Sequence, residues 1–97
     1  QAAARRIKGA FIENIESGLR WEPGDEVLGF GGKSGVPVQG FLGRLEAASM
    51  RWNGKRHILK KTGWAGLSVN GKKVSEVALE DGDRLKIGSS EFEYILS

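Results

Sequence analysis

The sequence predicts an all-β fold, an antiparallel sandwich of short strands. Three observations carry this. Fifteen of the 97 residues are glycine, roughly twice the average usage of about 7 %, and they interrupt the chain too often for a long helix. Short runs that alternate, or are β-branched and aromatic, lie between the glycines at strand length. Three turn sequences, Asn53-Gly54, Asn70-Gly71 and Asp81-Gly82-Asp83, fall at the spacing of hairpins in a sandwich or small barrel.

Taken in order, residues 1–7 read as a linker end, because the helix-prone stretch QAAARR is too short to hold a helix alone. The domain is expected over 8–97. Strands are expected over 8–15, with Phe11 and Ile15 on a shared face, then over 26–30 and 36–41. The strand at 45–52 puts Ala48, Met50 and Trp52 on one face, and Ser49 and Arg51 on the other. Asn53-Gly54, a type I′ hairpin signal, returns the chain into 56–60. Asn70-Gly71 joins 67–69 to 72–74 in the same way. Asp81-Gly82-Asp83 turns into 84–87, and 91–96 closes the fold. Alternation places Leu85, Ile87, Phe92, Tyr94 and Leu96 inward, with Lys86, Glu91 and Glu93 toward water. Trp21, Trp52 and Trp64 are expected to supply much of the core area.

Composition narrows the chemistry. Apolar residues make up 39 % and charged residues 28 %, ordinary globular usage for one domain. No apolar run is long enough for a transmembrane helix, so no membrane insertion is expected. There is no cysteine, which removes disulfides, thiolate metal sites and thiol nucleophiles, and fits a reducing cytoplasm. The single histidine, His57, has no partner for acid–base work and reads as a packed or surface residue. Asp81 and Asp83 read as turn residues that cap their own backbone. The stretch Gly29-Phe30-Gly31-Gly32-Lys33-Ser34 ends like a phosphate loop, but Val27 stands where the first glycine belongs and no helix signal follows. No enzyme activity and no cofactor are expected. The first residue, Gln1, reads as the start of a piece of a longer protein.

Charge is uneven. Residues 43–73 carry eight basic side chains against Glu46 alone, a net of +7, while residues 74–97 net −4. A basic middle suits an anionic partner. Outward lysines also keep sheet edges from pairing, which is the simpler account.

The last third carries a motif series. Val69-Asn70-Gly71 is followed by Leu79-Glu80-Asp81-Gly82-Asp83-Arg84-Leu85-Lys86-Ile87-Gly88 and then by Phe92-Glu93-Tyr94. This resembles the closing strands of a forkhead-associated (FHA) domain, with its V-N-G hairpin, its L-x-D-G-D-x-I-x-I-G run and a final aromatic strand. Gly24-Asp25-Glu26-Val27-Leu28-Gly29-Phe30 is similar to the family's early G-D-x-v-x-I-G-R. The resemblance covers roughly residues 9–96 and implies the FHA-like (SMAD/FHA) sandwich, with binding loops gathered at one end and Leu79 plugging the core.

Ordinary members of that family bind phosphothreonine peptides. The resemblance implies a phosphate-gripping arginine at position 30, where this chain has Phe30. The family's S-R-x-H-A segment falls on Gly43-Arg44-Leu45-Glu46-Ala47, which keeps Arg44 and loses the serine and histidine; a one-residue shift recovers neither. Trp64-Ala65-Gly66 stands near the family's S-x-N-G, so Ala65 replaces the peptide-gripping asparagine and Gly66 alone is kept. Glu46 in this loop would repel a dianion.

The expectation is a non-catalytic FHA-like interaction module with a signalling or regulatory role. It would bind a protein or peptide, or a segment of its own full-length chain, without needing phosphate. Its contact loops are 29–35, 40–44 and 62–66, with Lys33, Ser34, Arg44, Thr62, Trp64 and Gly66 as candidate binding residues. Phe30, Phe41 and Trp64 would form an apolar patch there if exposed. Two alternatives remain open. One is phosphothreonine binding through an unorthodox site. The other is a basic RNA-binding module, because V-N-G-K-K-V before L-x-D-G-D also resembles the end of S4-like domains; that fold needs two helices earlier in the chain, where glycines crowd the sequence.

Overall fold

The computed structural model describes residues 9–23, 26–32, 35–39, 45–63 and 66–96. These form ten strands and no helix. They are β1 (Ala10–Asn14), β2 (Arg20–Trp21), β3 (Leu28–Gly31), β4 (Glu46–Trp52), β5 (His57–Lys61), β6 (Leu67–Val69), β7 (Lys72–Lys73), β8 (Glu76–Ala78), β9 (Arg84–Ile87) and β10 (Ser90–Leu96). One sheet has six strands in the order β2-β1-β10-β9-β6-β7, and the other has four in the order β3-β4-β5-β8. The strand pairs are antiparallel throughout. This is the expected sandwich, and the two helices of the S4-like alternative are absent from the described residues.

Alternation builds the core. β9 buries Leu85 and Ile87 while Arg84 and Lys86 face water. β10 buries Phe92 and Tyr94 while Glu91 stays exposed. From the smaller sheet, Phe30, Ala48, Met50 and Leu59 meet them, and Leu79 plugs the gap between. Phe30 and Phe92 touch edge to face across the two sheets, with centroids 5.5 Å apart at 73°, and Trp21 meets Phe92 at 6.4 Å and 69°. Such aromatic pairs add about 0.5–1.5 kcal/mol beyond the area they bury.

Several expectations are corrected. The large buried rings are Tyr94, Phe30 and Phe92, whereas Trp21 and Trp52 are only partly buried; Trp64 lies outside the described residues. In β1 the inward residues are Ala10 and Ile12, not Phe11 and Ile15. The reason is register: Ile12 pairs with the inward Tyr94, which turns Phe11 outward beside Ile95. There Arg20 lies over the Phe11 ring, 5.2 Å from its centroid. Leu96 is 42 % exposed, because the last strand ends beyond the core. Phe30 is fully buried and so forms no exposed patch; Phe41 lies outside the described residues.

The strand expected over 36–41 reduces to one parallel bridge, Phe30 to Val36. Val36 already folds back, donating to the Gly29 carbonyl at 2.9 Å and accepting from the Gly31 amide at 2.7 Å, and Pro37 has no amide to continue a ladder. Residues 40–41 of that expected strand, and the linker end at 1–7, lie outside the described residues. Two strands went unforeseen, β2 and β8. Both are two or three residues long and exist through pairing with β1 and β5.

The turns divide. Asn70-Gly71 is a type I′ hairpin: Asn70 has φ 53°, Gly71 has φ 85°, and Val69 pairs with Lys72. Asn53-Gly54 is not, because Trp52 pairs with His57 across a longer loop. Asn53 instead accepts the Lys55 and Arg56 amides on its own side chain, at 2.9 and 2.8 Å, an Asx turn. Lys72 and Lys73 form the exposed edge of the larger sheet, as lysines at a protected edge should.

His57 is packed. Its Nδ1 lies 2.5 Å from the Tyr94 hydroxyl, and its ring sits between Trp52 and Tyr94. Burial, with Asp81 adding to it, pushes the Tyr94 phenol up to about 12. A phenol that ionises near 10 when unfolded and only near 12 when folded makes the fold prefer the neutral form. That stability is complete below pH 10 and is lost as pH rises through 12. Tyr94→Phe is expected to lower stability by about 1–3 kcal/mol by stripping a buried ring nitrogen of its partner, and to flatten the fall in thermal midpoint above pH 10. Equal midpoints for the two proteins across that range would refute this account.

Candidate functional site

One end of the sandwich gathers the ends of β3, β5 and β9 and the starts of β4, β6 and β10. The described residues that leave these strands include Gly32, Leu45, Thr62, Gly63 and Gly66, which belong to or border the contact loops expected from the sequence. Of the candidate residues, Thr62 and Gly66 are described. Lys33, Ser34, Arg44 and Trp64 lie outside the described residues, as does Ala65, while their neighbours Gly32, Gly35, Leu45 and Gly63 are described.

Backbone contacts hold this end together. The Thr62 and Gly63 amides both donate to the Ala47 carbonyl, at 3.0 and 3.1 Å. Gly63 lies so close to the start of β4 that a side-chain Cβ there would collide with the Glu46 carbonyl oxygen. Gly35, at φ +94°, sits against the Gly29 carbonyl in the same way. The Gly66 carbonyl accepts the Gly88 amide at 3.0 Å, and the buried Ser90 hydroxyl accepts the Gln39 amide at 2.7 Å. Thr62 and Gly66 are both exposed, and main-chain bonds from Thr62, Gly63 and Gly66 pin the described residues on either side.

Beside these loops a groove of about 370 Å³ runs over β3, lined by Val27, Leu28, Gly29, Gly31, Gly32, Gly35 and Glu46. Its floor is bare because Gly29, the outward position of β3, has no side chain and Gly31, Gly32 and Gly35 add only backbone beside it. Its lip is Val27, 67 % exposed, and its wall is the Glu46 carboxylate, which a Cβ at position 29 would meet at 3.0 Å. The Phe30 side chain faces away from this groove, into the core. The sequence shows Glu46 as a misplaced acid but not the groove, since nothing in a run of glycines shows that Gly29 lies against the carboxylate of a residue on the next strand.

Comparison with solved structures identifies the architecture. An FHA domain solved in a study of phosphothreonine-dependent FHA interactions superposes with a TM-score of 0.77 at 24 % identity, covering 91 % of this chain and 96 % of that one. The FhaA FHA domain, solved in complex with the intracellular domain of another protein, gives 0.75 at 23 %, covering 88 % and 98 %. EmbR of Mycobacterium tuberculosis, in complex with a low-affinity phosphopeptide, gives 0.80 at 22 %, covering 91 % of this chain and 24 % of that one. No protein-family model matches the chain, and no curated protein matches its sequence. The chain therefore has the FHA-like fold its closing motifs implied.

Gly63→Ala is expected to cost about 1–3 kcal/mol, the range for forcing atoms into a closed contact, whereas Gly66→Ala, with open space around it, is expected to cost far less. Chemical denaturation of both variants checks the contrast; equal losses would mean that the Gly63 contact does not hold the loop.

Proposed function

We propose that this chain is a non-catalytic protein-interaction module that binds its partner through the loop end without requiring phosphothreonine. The observation that carries the reading is Phe30. The resemblance puts the family's phosphate-gripping arginine there, and this chain spends the position on its core, with no exposed surface left on the side chain. The resemblance also replaces the serine and histidine of the next loop with Gly43 and Glu46, and the asparagine of the later loop with Ala65. Charge-assisted bonds to a phosphoryl group contribute about 1.5–3 kcal/mol each, so losing several removes the affinity.

The solved neighbours support the interaction role, since one is complexed with a protein domain and one with a phosphopeptide. Lys33, Ser34, Arg44, Thr62, Trp64 and Gly66 remain the residues assigned to the contact surface. The partner is a protein or a peptide, including a segment of the same full-length chain.

An array of threonine peptides and their phosphorylated twins tests the reading. The expected result is no preference for the phosphorylated set; a clear preference for it overturns the proposal. With a partner in hand, Trp64→Ala and Arg44→Glu are expected to weaken binding several-fold while leaving the thermal midpoint unchanged. Affinity unaltered in both variants would remove the loops from the contact surface.

A further inference from the structure

Four lysines gather on one flank of the sandwich. β7 is the last strand of the larger sheet and β8 the last of the smaller, and the chain crosses between them through Val74 and Ser75. The Lys61 amide donates to the Ser75 carbonyl at 2.8 Å, which lays the end of β5 beside that crossing. Lys73 stands two residues before Ser75, about 7 Å along an extended chain. Lys60, Lys61, Lys72 and Lys73 are all exposed. None takes part in the ion pairs among the described residues, which join Arg20 to Glu13, Arg51 to Glu76 and Arg56 to Glu80. Within residues 57–63 and 72–78 the only acid is Glu76, which lies opposite Lys60 and is engaged by Arg51. The Glu46 carboxylate is elsewhere, over Gly29 on the other edge of that sheet. Edge protection accounts for Lys72 and Lys73. It does not account for Lys60 and Lys61, because β5 is an inner strand, between β4 and β8.

We infer that this flank receives an acidic segment of the partner protein, extended, with carboxylates at alternate positions. Like charges held close repel one another, and a surface of one sign draws a partner of the other. Alternate residues of an extended chain are about 7 Å apart, the same interval that separates Lys73 from the level of Lys61. The flank runs into the proposed contact surface, since Lys61 precedes Thr62, and it shares the sign of Lys33 and Arg44 there. A single-stranded nucleic acid would look for aromatic platforms on which its bases stack, and β5, β7 and β8 contain no Phe, Tyr or Trp. The inference rests on the proposed phosphate-independent role and specifies its partner: the lysines are spread along the flank and meet charges in series, not one phosphoryl group.

The test uses the 97-residue chain and peptide pools with randomised flanks and a fixed centre: Glu-x-Glu-x-Glu, Gln-x-Gln-x-Gln, threonine or phosphothreonine. Polyuridylate of similar length is the nucleic-acid probe. The expected result at low salt is retention of the glutamate pool over the glutamine pool by about tenfold, what three exposed charge pairs provide together. In about 1 M salt, where charges are screened beyond about 3 Å, the ratio is expected to fall close to one. Lys61→Glu combined with Lys73→Glu is expected to abolish the ratio, and Lys61→Gln combined with Lys73→Gln to reduce it severalfold. Lys55→Glu, at the opposite end of β5, is expected to leave most of it. These positions are exposed, and the thermal midpoint of the glutamine pair checks that the fold survives. Equal retention of the two pools, no retention of either, or a ratio that persists in both lysine pairs overturns the acidic-segment site. So does a loss in Lys55→Glu as large as in the lysine pairs, or tighter binding of polyuridylate than of the glutamate pool. Preference for phosphothreonine over threonine that survives in the lysine pairs instead overturns the phosphate-independent reading, so the two failures are distinguishable.

Discussion

The contact between Phe30 and Phe92 is the constraint on which the rest of the structure depends. Each sheet has one apolar face, and a sandwich is stable only when those faces cover each other. Phe92 sits on β10, in the middle of the larger sheet, and reaches across to Phe30 on β3, an edge strand of the smaller one. β3 has only β4 as a full strand partner. Its other side carries the parallel bridge to Val36 and the two main-chain bonds that Val36 makes with Gly29 and Gly31. The buried ring therefore anchors an edge strand that pairing alone would hold weakly.

That anchor also shapes the loop end. A residue committed to the core cannot serve the surface, so position 30 contributes packing and no donor. The loops around it are fixed by main-chain bonds and by glycines in close approach, at Gly35 and Gly63. The groove beside them has a floor of glycine backbone and the Glu46 carboxylate as its wall.

The far end is held differently. Its buried and turn polar groups are matched by side chains. Tyr94 meets His57. The Asp81 carboxylate accepts the Leu96 amide, and Asp83 accepts the Glu80 amide. Asn70 donates to Asp83 and accepts from the Arg84 amide, so the type I′ hairpin is tied to the turn before β9. A buried polar group without a partner costs about 1–3 kcal/mol, and none of the described buried side-chain polar atoms is left without one. Side-chain bonds thus dominate at the far end, whereas among the described residues of the loop end main-chain bonds are joined by the Ser90 hydroxyl.

The sequence by itself determined the fold class, the Asn70-Gly71 hairpin, the closing strands and the inward alternation of Leu85, Ile87, Phe92 and Tyr94. Those features rest on local chemistry: a turn that needs positive φ, and side chains that alternate across a pleat. Tertiary structure alone decided the rest. The facing of β1 came from its register against Tyr94. The strands β2 and β8 exist because a neighbour pairs with them. Phe30 could be read as core or as surface until the two sheets closed over it. The groove required Gly29 to lie beside the carboxylate of Glu46 on the next strand, a juxtaposition set by the β3–β4 pairing and invisible to any local pattern.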